Sequence, residues 1–292
     1  MKPIDVLAAL VVVVLWGVNF AMAKIVVAEI PPLFAMGLRF AVVGAMLAWA
    51  GRPTRSQMRE IAILSVVLGT LHFGLIYVGI SGVDASVAAI LMQLGTPLSV
   101  LLGWAILGET IGWRRAIGTA VAFSGIVVLA GEPHAMSSTL HVGIILFAAL
   151  MWAFSNIQTK RVGRIDSFVI NGWTAVLSSP QLFLLSFVVE TGQMASFETA
   201  SLRAWGALAY ATFLSSLVAY GLWYYLPGRY EVTRLAPIAL LSPAIGILSG
   251  ILILGEPLTM QKVIGGFIVI MGVAIIEIRM RGKRVPEAGV VP

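Results

Sequence analysis

The 292-residue sequence has no cysteine. That excludes disulfides, thiol nucleophiles and cysteine-ligated metals. Histidine is scarce: His72, His134 and His141 stand in no ligand spacing and no HExxH occurs, so neither a metal site nor a cofactor is expected. The GxxxxGK phosphate loop is missing as well, which leaves no recognisable ATPase. Charge is sparse, at 11% of residues, where soluble domains carry roughly 25%. Hydrophobic residues make up 59% and the mean hydropathy is +0.99. The solvent to reason with is therefore the bilayer. The net charge of +6 does not call for nucleic acid, because the basic residues sort to one side of a membrane.

A helix crosses the hydrocarbon core with about 20 apolar residues. Ten such runs are present, near 4–23, 32–50, 60–80, 85–107, 113–131, 141–160, 167–189, 203–226, 231–254 and 260–278. Short connections with breakers separate them, such as Pro31-Pro32, Gly51-Arg52-Pro53 and Gly131-Glu132-Pro133. The first run resembles a secretory signal in having Lys2 before it and Ala21-Met22-Ala23 after it. It is long for a signal core, Asp5 lies in the would-be basic region, and the segment has a counterpart later in the chain. It is read as a span.

With the N-terminus placed in the cytoplasm, 14 basic residues fall on that side: Lys2, Arg52, Arg55, Arg59, Arg114, Arg115, Lys160, Arg161, Arg164, Arg229 and Arg279, Arg281, Lys283, Arg284. Lys24, Arg203 and Lys262 fall outside, and Arg39 and Arg234 lie within spans. This bias follows the positive-inside rule. It predicts an even number of spans with both termini cytoplasmic in a bacterial inner membrane.

Gly108-Glu109 closes the fourth span and Gly255-Glu256 the ninth, an offset of 255 − 108 = 147. At that offset Gly103 meets Gly250, Gly118 meets Gly265 and Gly125 meets Gly272, with nine identities in 28 over residues 101–128. A weaker echo joins Trp16 to Trp152 and Lys24 to Lys160 at an offset of 152 − 16 = 136. The fold expected is an all-α membrane protein of ten helices in two inverted five-helix repeats around a central cavity. The first repeat is 1–135, the second 136–280, and 281–292 is a basic cytoplasmic tail. Five is odd, so the second repeat enters the membrane upside down. Inverted repeats are a carrier architecture, because one packing has two mirror-related arrangements.

The motifs resemble the EamA-like branch of the drug/metabolite transporter superfamily. The matching pieces are Trp16-Gly17-Val18-Asn19-Phe20, Leu38-Arg39-Phe40, Pro97 and Ile106-Leu107-Gly108-Glu109 in the first half. In the second half they are Pro243 and Ile253-Leu254-Gly255-Glu256 before a glycine-rich helix. The resemblance covers nearly the whole chain. It implies ten helices, cytoplasmic termini and a cavity between the halves. It also implies export of amino acids or related metabolites, with aromatic amino-acid exporters as the nearest relatives. The sixth span departs from the pattern, reading Trp152-Ala153-Phe154-Ser155-Asn156, so a mirrored role for Asn156 is in doubt.

Several side chains are candidates for the cavity. Arg39 sits a third of the way into the second span, where it either snorkels, bonds carbonyls or clamps a substrate carboxylate with its fork. His72 is either a hydrogen-bonded packing residue or a cavity group. The amides Asn19, Gln93 and Asn156 either tie helices or line the cavity, and Ser216, beside Ser215, is a weaker candidate. Trp16, Tyr77, Trp152, Trp173, Tyr220 and Tyr224 are aromatics at depth, suited to an amphipathic or aromatic substrate if they are not plain packing. Pro97 and Pro243 fall near the centres of the fourth and ninth spans and would kink them as hinges. No carboxylate lies mid-span, which favours facilitated, gradient-driven export over a proton relay. Glu109 and Glu256 are placed near helix starts as structural residues. The glycine faces of the fifth and tenth spans predict close packing, within the chain or in a homodimer.

A small-molecule carrier is the leading reading. A multidrug or nucleotide-sugar-type carrier is the variant within the superfamily. An intramembrane enzyme would need an acid/base or metal constellation at depth, and a scaffold would not explain the repeat.

Overall fold

The structure is a computed structural model that describes residues 1–130, 138–226, 229–230 and 232–277. The expected tail 281–292 lies outside the described residues. Ten helical spans follow one another. They are α1 (Pro3–Val27), α2 (Pro32–Ala50), α3 (Arg55–Ser81), α4 (Ala85–Met92 with Gly95–Leu107), α5 (Trp113–Ala130), α6 (Thr139–Val162), α7 (Ser167–Val189), α8 (Leu202–Tyr225), α9 (Val232–Ala239 with Leu241–Leu254) and α10 (Met260–Glu277). Among the described residues nine of these are long and apolar enough to cross a membrane by themselves. The other is α5, which begins with Arg114 and Arg115 and runs to the edge of the described residues.

The boundaries follow local chemistry. Pro32 opens α2, where its missing N–H costs nothing. Thr54 and Gln57 close a reciprocal capping box at the start of α3, which therefore begins five residues before the apolar run. Gly108 and Gly255 end α4 and α9 at φ 66° and 71°. That left-handed conformation suits glycine and caps a helix C-terminus.

Two features depart from straight helices. Ser65–Gly74 in α3 and Tyr210–Ala219 in α8 are π-helical, a rare form that clusters at functional sites. They occupy matching places in the two repeats. In addition, α4 is interrupted at Gln93 and Leu94, and α9 at Leu240. Each interruption lies one turn before a proline, where the missing N–H and the ring of Pro97 and of Pro243 act on the carbonyl of the residue four back, Gln93 and Ala239.

The halves interlock through mirror-related pairs. α2 lies along α7 and α5 along α10. At the α5–α10 seam a Cβ on Gly118 would stand 2.7 Å from the Gly272 carbonyl oxygen, and one on Gly125 2.8 Å from that of Gly265. The seam is thus antiparallel, with Gly118 facing Gly272, the counterpart of Gly125, and Gly125 facing Gly265, the counterpart of Gly118. These glycine faces close on one another inside the chain, which removes them as the contact of a homodimer. The main core gathers Phe34, Met36, Tyr77, Ile80, Ile90 and Leu91 among its largest members.

One end of the bundle carries the N-terminus, Arg52, Arg55 and Arg164, and is called the basic end. The other carries Glu29, Glu190 and Glu256 and is called the far end.

Candidate functional site

A cavity of about 200 Å³ lies between α2, α3, α6, α7 and α8. Arg39, 3% exposed, is a charged group in its wall. The π-helical part of α8 brings Ser216 against it, and Arg39 Nε donates to Ser216 Oγ at 2.9 Å. Nη1 donates to the hydroxyl of buried Tyr77 at 3.1 Å. The Ser216 hydroxyl in turn donates to the Ala211 carbonyl at 3.1 Å. These bonds fix the fork from behind. Among the described residues the one ion pair is Lys262–Asp84, so no carboxylate neutralises Arg39. A guanidinium has five N–H donors and cannot lose its charge. At this depth a cation costs several kcal/mol without a partner. The site thus holds an unspent positive charge with donors facing a cavity.

The walls are amphipathic. Tyr220 and Tyr224 line one side with ring centroids 5.8 Å apart. Trp152 and Phe73 line the other, and Trp152 packs against Gly95 just beyond the α4 break, where a Cβ would come within 2.6 Å of its ring. The amides Asn156 and Asn171 both line the cavity. Asn156 donates to Ser99 Oγ at 3.3 Å and Asn171 to the Tyr224 hydroxyl. Both bonds use the amide nitrogens and leave the carbonyl oxygens as acceptors. Thr174 Oγ1, also in the wall, is buried without a partner. The cavity reaches the basic end at Thr159, which is exposed.

The family model for the EamA-like transporter family matches the chain twice, over residues 4–131 and 140–278. The chain belongs to that family. As an EamA-like transporter it is similar over nearly its whole length to two proteins named "Probable amino-acid metabolite efflux pump". The one from Escherichia coli is 29% identical, covering 98% of each chain. The one from Salmonella typhimurium is 30% identical, covering 96% of this chain and 97% of the relative. A "Probable terminal-alkyne amino-acid exporter" of Streptantibioticus cattleyicolor is 26% identical over 80% of this chain and 77% of its own. A solved crystal structure shares the fold with a TM-score of 0.62 at 18% identity, over 94% of this chain and 98% of that one. The chain is thus a multi-pass membrane transporter, not an enzyme.

Within this EamA-like site the sequence candidates divide. Arg39, Trp152, Asn156, Ser216, Tyr220 and Tyr224 meet at the cavity. Tyr77 lies one step behind, holding Arg39. Trp16 packs on Tyr220 and Trp223 at 5.2 and 5.3 Å. Its Nε1 and the Asn19 Oδ1 are buried without partners, but neither residue lines the cavity. Two candidates tie helices together instead, and a third lies at a helix break. His72 bonds the Ala148 carbonyl at 2.9 Å and joins α3 to α6. Trp173 donates to the Gly51 carbonyl at 3.0 Å and joins α7 to the end of α2. Gln93 occupies the α4 break. Asn171, Thr174 and Phe73 were not anticipated. Asn171 is an in-span amide of the same kind as Asn156, and that was the signal available.

Proposed function

We propose that this chain exports small metabolites bearing a carboxylate, amino acids foremost and aromatic ones among them. It does so by alternating access, driven by the substrate's own gradient. The observation that carries the reading is Arg39: a buried guanidinium, braced by Ser216 and Tyr77 and unneutralised, in the wall of an aromatic cavity. A substrate carboxylate supplies the missing countercharge through charge-assisted, fork-matched hydrogen bonds. The amide oxygens of Asn156 and Asn171 and the faces of Trp152 and Tyr220 suit an ammonium and an apolar side chain. The names of the relatives agree with this substrate class.

Two alternatives fit less well. A carrier of organic cations would be repelled by Arg39. A nucleotide-sugar carrier would need more room than about 200 Å³, since pockets for drug-sized ligands run roughly 300–1,000 Å³. The basic end is assigned to the cytoplasm of a bacterial inner membrane on the positive-inside bias, so a cavity open at that end loads from the cytoplasm.

Counterflow in proteoliposomes tests the reading. Labelled aromatic amino acids should exchange, and their carboxamides and organic cations should not. Transport of cations in preference to amino acids overturns the substrate class, and obligatory dependence on an imposed pH gradient overturns the gradient-driven mechanism.

A further inference from the structure

The far end carries charged bonds: Glu256 and Lys262 tie the second half to the first, and Lys24 ties α1 to the end of α3 within the first half. Glu256, just past the end of α9, accepts from the first backbone N–H groups of α4, Ala85 N at 2.6 Å and Ser86 N at 3.0 Å, and from Ser86 Oγ at 2.5 Å. Lys262, on α10 and fully buried, pairs with Asp84 at 2.6 Å. Lys24, at the end of α1, donates to the carbonyls of Ile80, Ser81 and Val83 at 2.8, 3.1 and 2.7 Å. A carboxylate on a helix N-terminus and a cation on a helix C-terminus are the favourable placements.

The repeat register carries each part of this clasp to the basic end. At the offset of 147 Glu256 corresponds to Glu109, Lys262 to Arg115, Ala85 and Ser86 to Val232 and Thr233, and Asp84 to Glu231. At the offset of 136 Lys24 corresponds to Lys160. The helices follow the same register: α4 starts at Ala85 and ends at Leu107, while α9 starts at Val232 and ends at Leu254. Every charge sign is conserved between the sets, and the hydroxyl of Ser86 recurs in Thr233. The glutamates are not equally occupied, however. Glu109, Arg115 and Lys160 are all exposed, and among the described residues their side chains make no hydrogen bond or ion pair. The cavity opens at that same end.

We infer that Glu109, Arg115 and Lys160 are the basic-end clasp, which closes on the start of α9 and the end of α8 when the far-end clasp of Glu256, Lys262 and Lys24 releases. The two sets are positioning residues for alternating access, one engaged in each state. This inference rests on the carrier reading above. A difference in strength between the two clasps shifts the ratio of the two arrangements by that difference. Removing one clasp biases the protein toward the state that the other holds.

The absence of cysteine permits site-directed spin labelling without a background. One label pair, Ser81→Cys with Leu258→Cys, reports the far end. A second, Gly112→Cys with Arg229→Cys, reports the basic end; all four side chains are exposed and none of them makes a clasp bond, the Ser81 carbonyl that accepts from Lys24 being backbone. Glu256→Gln should raise the population with a long far-end and short basic-end distance about tenfold, the change that about 1.4 kcal/mol makes. Glu109→Gln and Arg115→Gln should lower that population, and Glu109→Gln combined with Glu256→Gln should return it toward wild type. Glu109 and Arg115 are exposed, so their variants test the idea even if changes at the far end impair folding. Single variants that leave the ratio unchanged, or both move it the same way, overturn the clasp. Counterflow by the wild type separates the two readings. Its absence overturns the carrier and with it the clasp, whereas flux with unresponsive distances overturns the clasp alone.

Discussion

Arg39 is where residue chemistry and function meet. Its two protein partners are uncharged, so the fork is oriented but not neutralised. Arg39→Lys keeps the charge and loses the planar fork; we expect at least tenfold weaker half-saturation in counterflow, and near-complete loss for Arg39→Gln. Ser216→Ala and Tyr77→Phe each remove a hydrogen bond to a charged group, about 1.5–3 kcal/mol. Each should weaken transport of the acid more than roughly tenfold while leaving the folded fraction intact, read by size-exclusion in detergent. Equal transport of an amino acid and its carboxamide by Arg39→Gln and wild type would remove Arg39 from recognition. At the far end, Glu29 receives the Ser201 N–H at 2.5 Å and the Ser201 hydroxyl at 2.8 Å. These bonds, the backbone one foremost, hold its carboxyl below the ordinary value of 4.5. A depressed carboxylate contributes stability above its ordinary value and loses it as pH falls through the depressed one. Thermal unfolding of Glu29→Gln followed from pH 7 to 3 should therefore converge on wild type at the acid end. Several residue roles were hard to read from the sequence for one reason. Histidine, tryptophan and amides at depth can satisfy themselves on backbone carbonyls as readily as on a substrate. Only the fold reveals that His72 meets Ala148 and Trp173 meets Gly51, while Asn156 and Asn171 retain free oxygens.

Among the elements, the spans were legible because hydropathy alone decides them. The apolar runs and the Gly-Glu repeat placed nearly every helix of the bundle. The interruptions were legible only through the prolines: the run through Ala85–Ile106 is continuous in hydropathy, but Pro97 and Pro243 each disturb the carbonyl one turn back, where the ladder breaks. The π segments of α3 and α8 were not legible, since they are set by what the helices pack against. Their placement is consequential, because the segment of α8 carries Ser216 to Arg39. The glycine seam allows a sharp prediction. A Cβ on Gly272 would lie 2.4 Å from the Ala122 nitrogen and 2.7 Å from the Gly118 oxygen, both backbone atoms that cannot yield. Overpacking of this kind costs about 1–3 kcal/mol. Gly272→Ala should lower the melting temperature in detergent, whereas Gly143→Ala, with nothing within 4 Å, should not. Equal melting of the two variants would show that the seam is looser than described.

For the whole molecule, the alternation of spans puts Lys2 and Arg164 at one end and Met194 at the other. In a cysteine-free chain this is directly measurable. Lys2→Cys and Arg164→Cys should react with an impermeant thiol reagent only in inside-out vesicles, and Met194→Cys only in intact cells. Labelling of Lys2→Cys and Met194→Cys from the same face would overturn the arrangement of spans.

The antiparallel embrace of α5 and α10 also bears on how such a chain can be assembled. Each five-helix half ends in a span whose glycine face is filled by the other half's last span, so the halves meet through their spans on either side of the link that joins Ala130 to Ser138. A protein cut there and produced as two separate polypeptides should recombine into a working pair, and the same geometry would let an unduplicated half pair with an oppositely inserted twin.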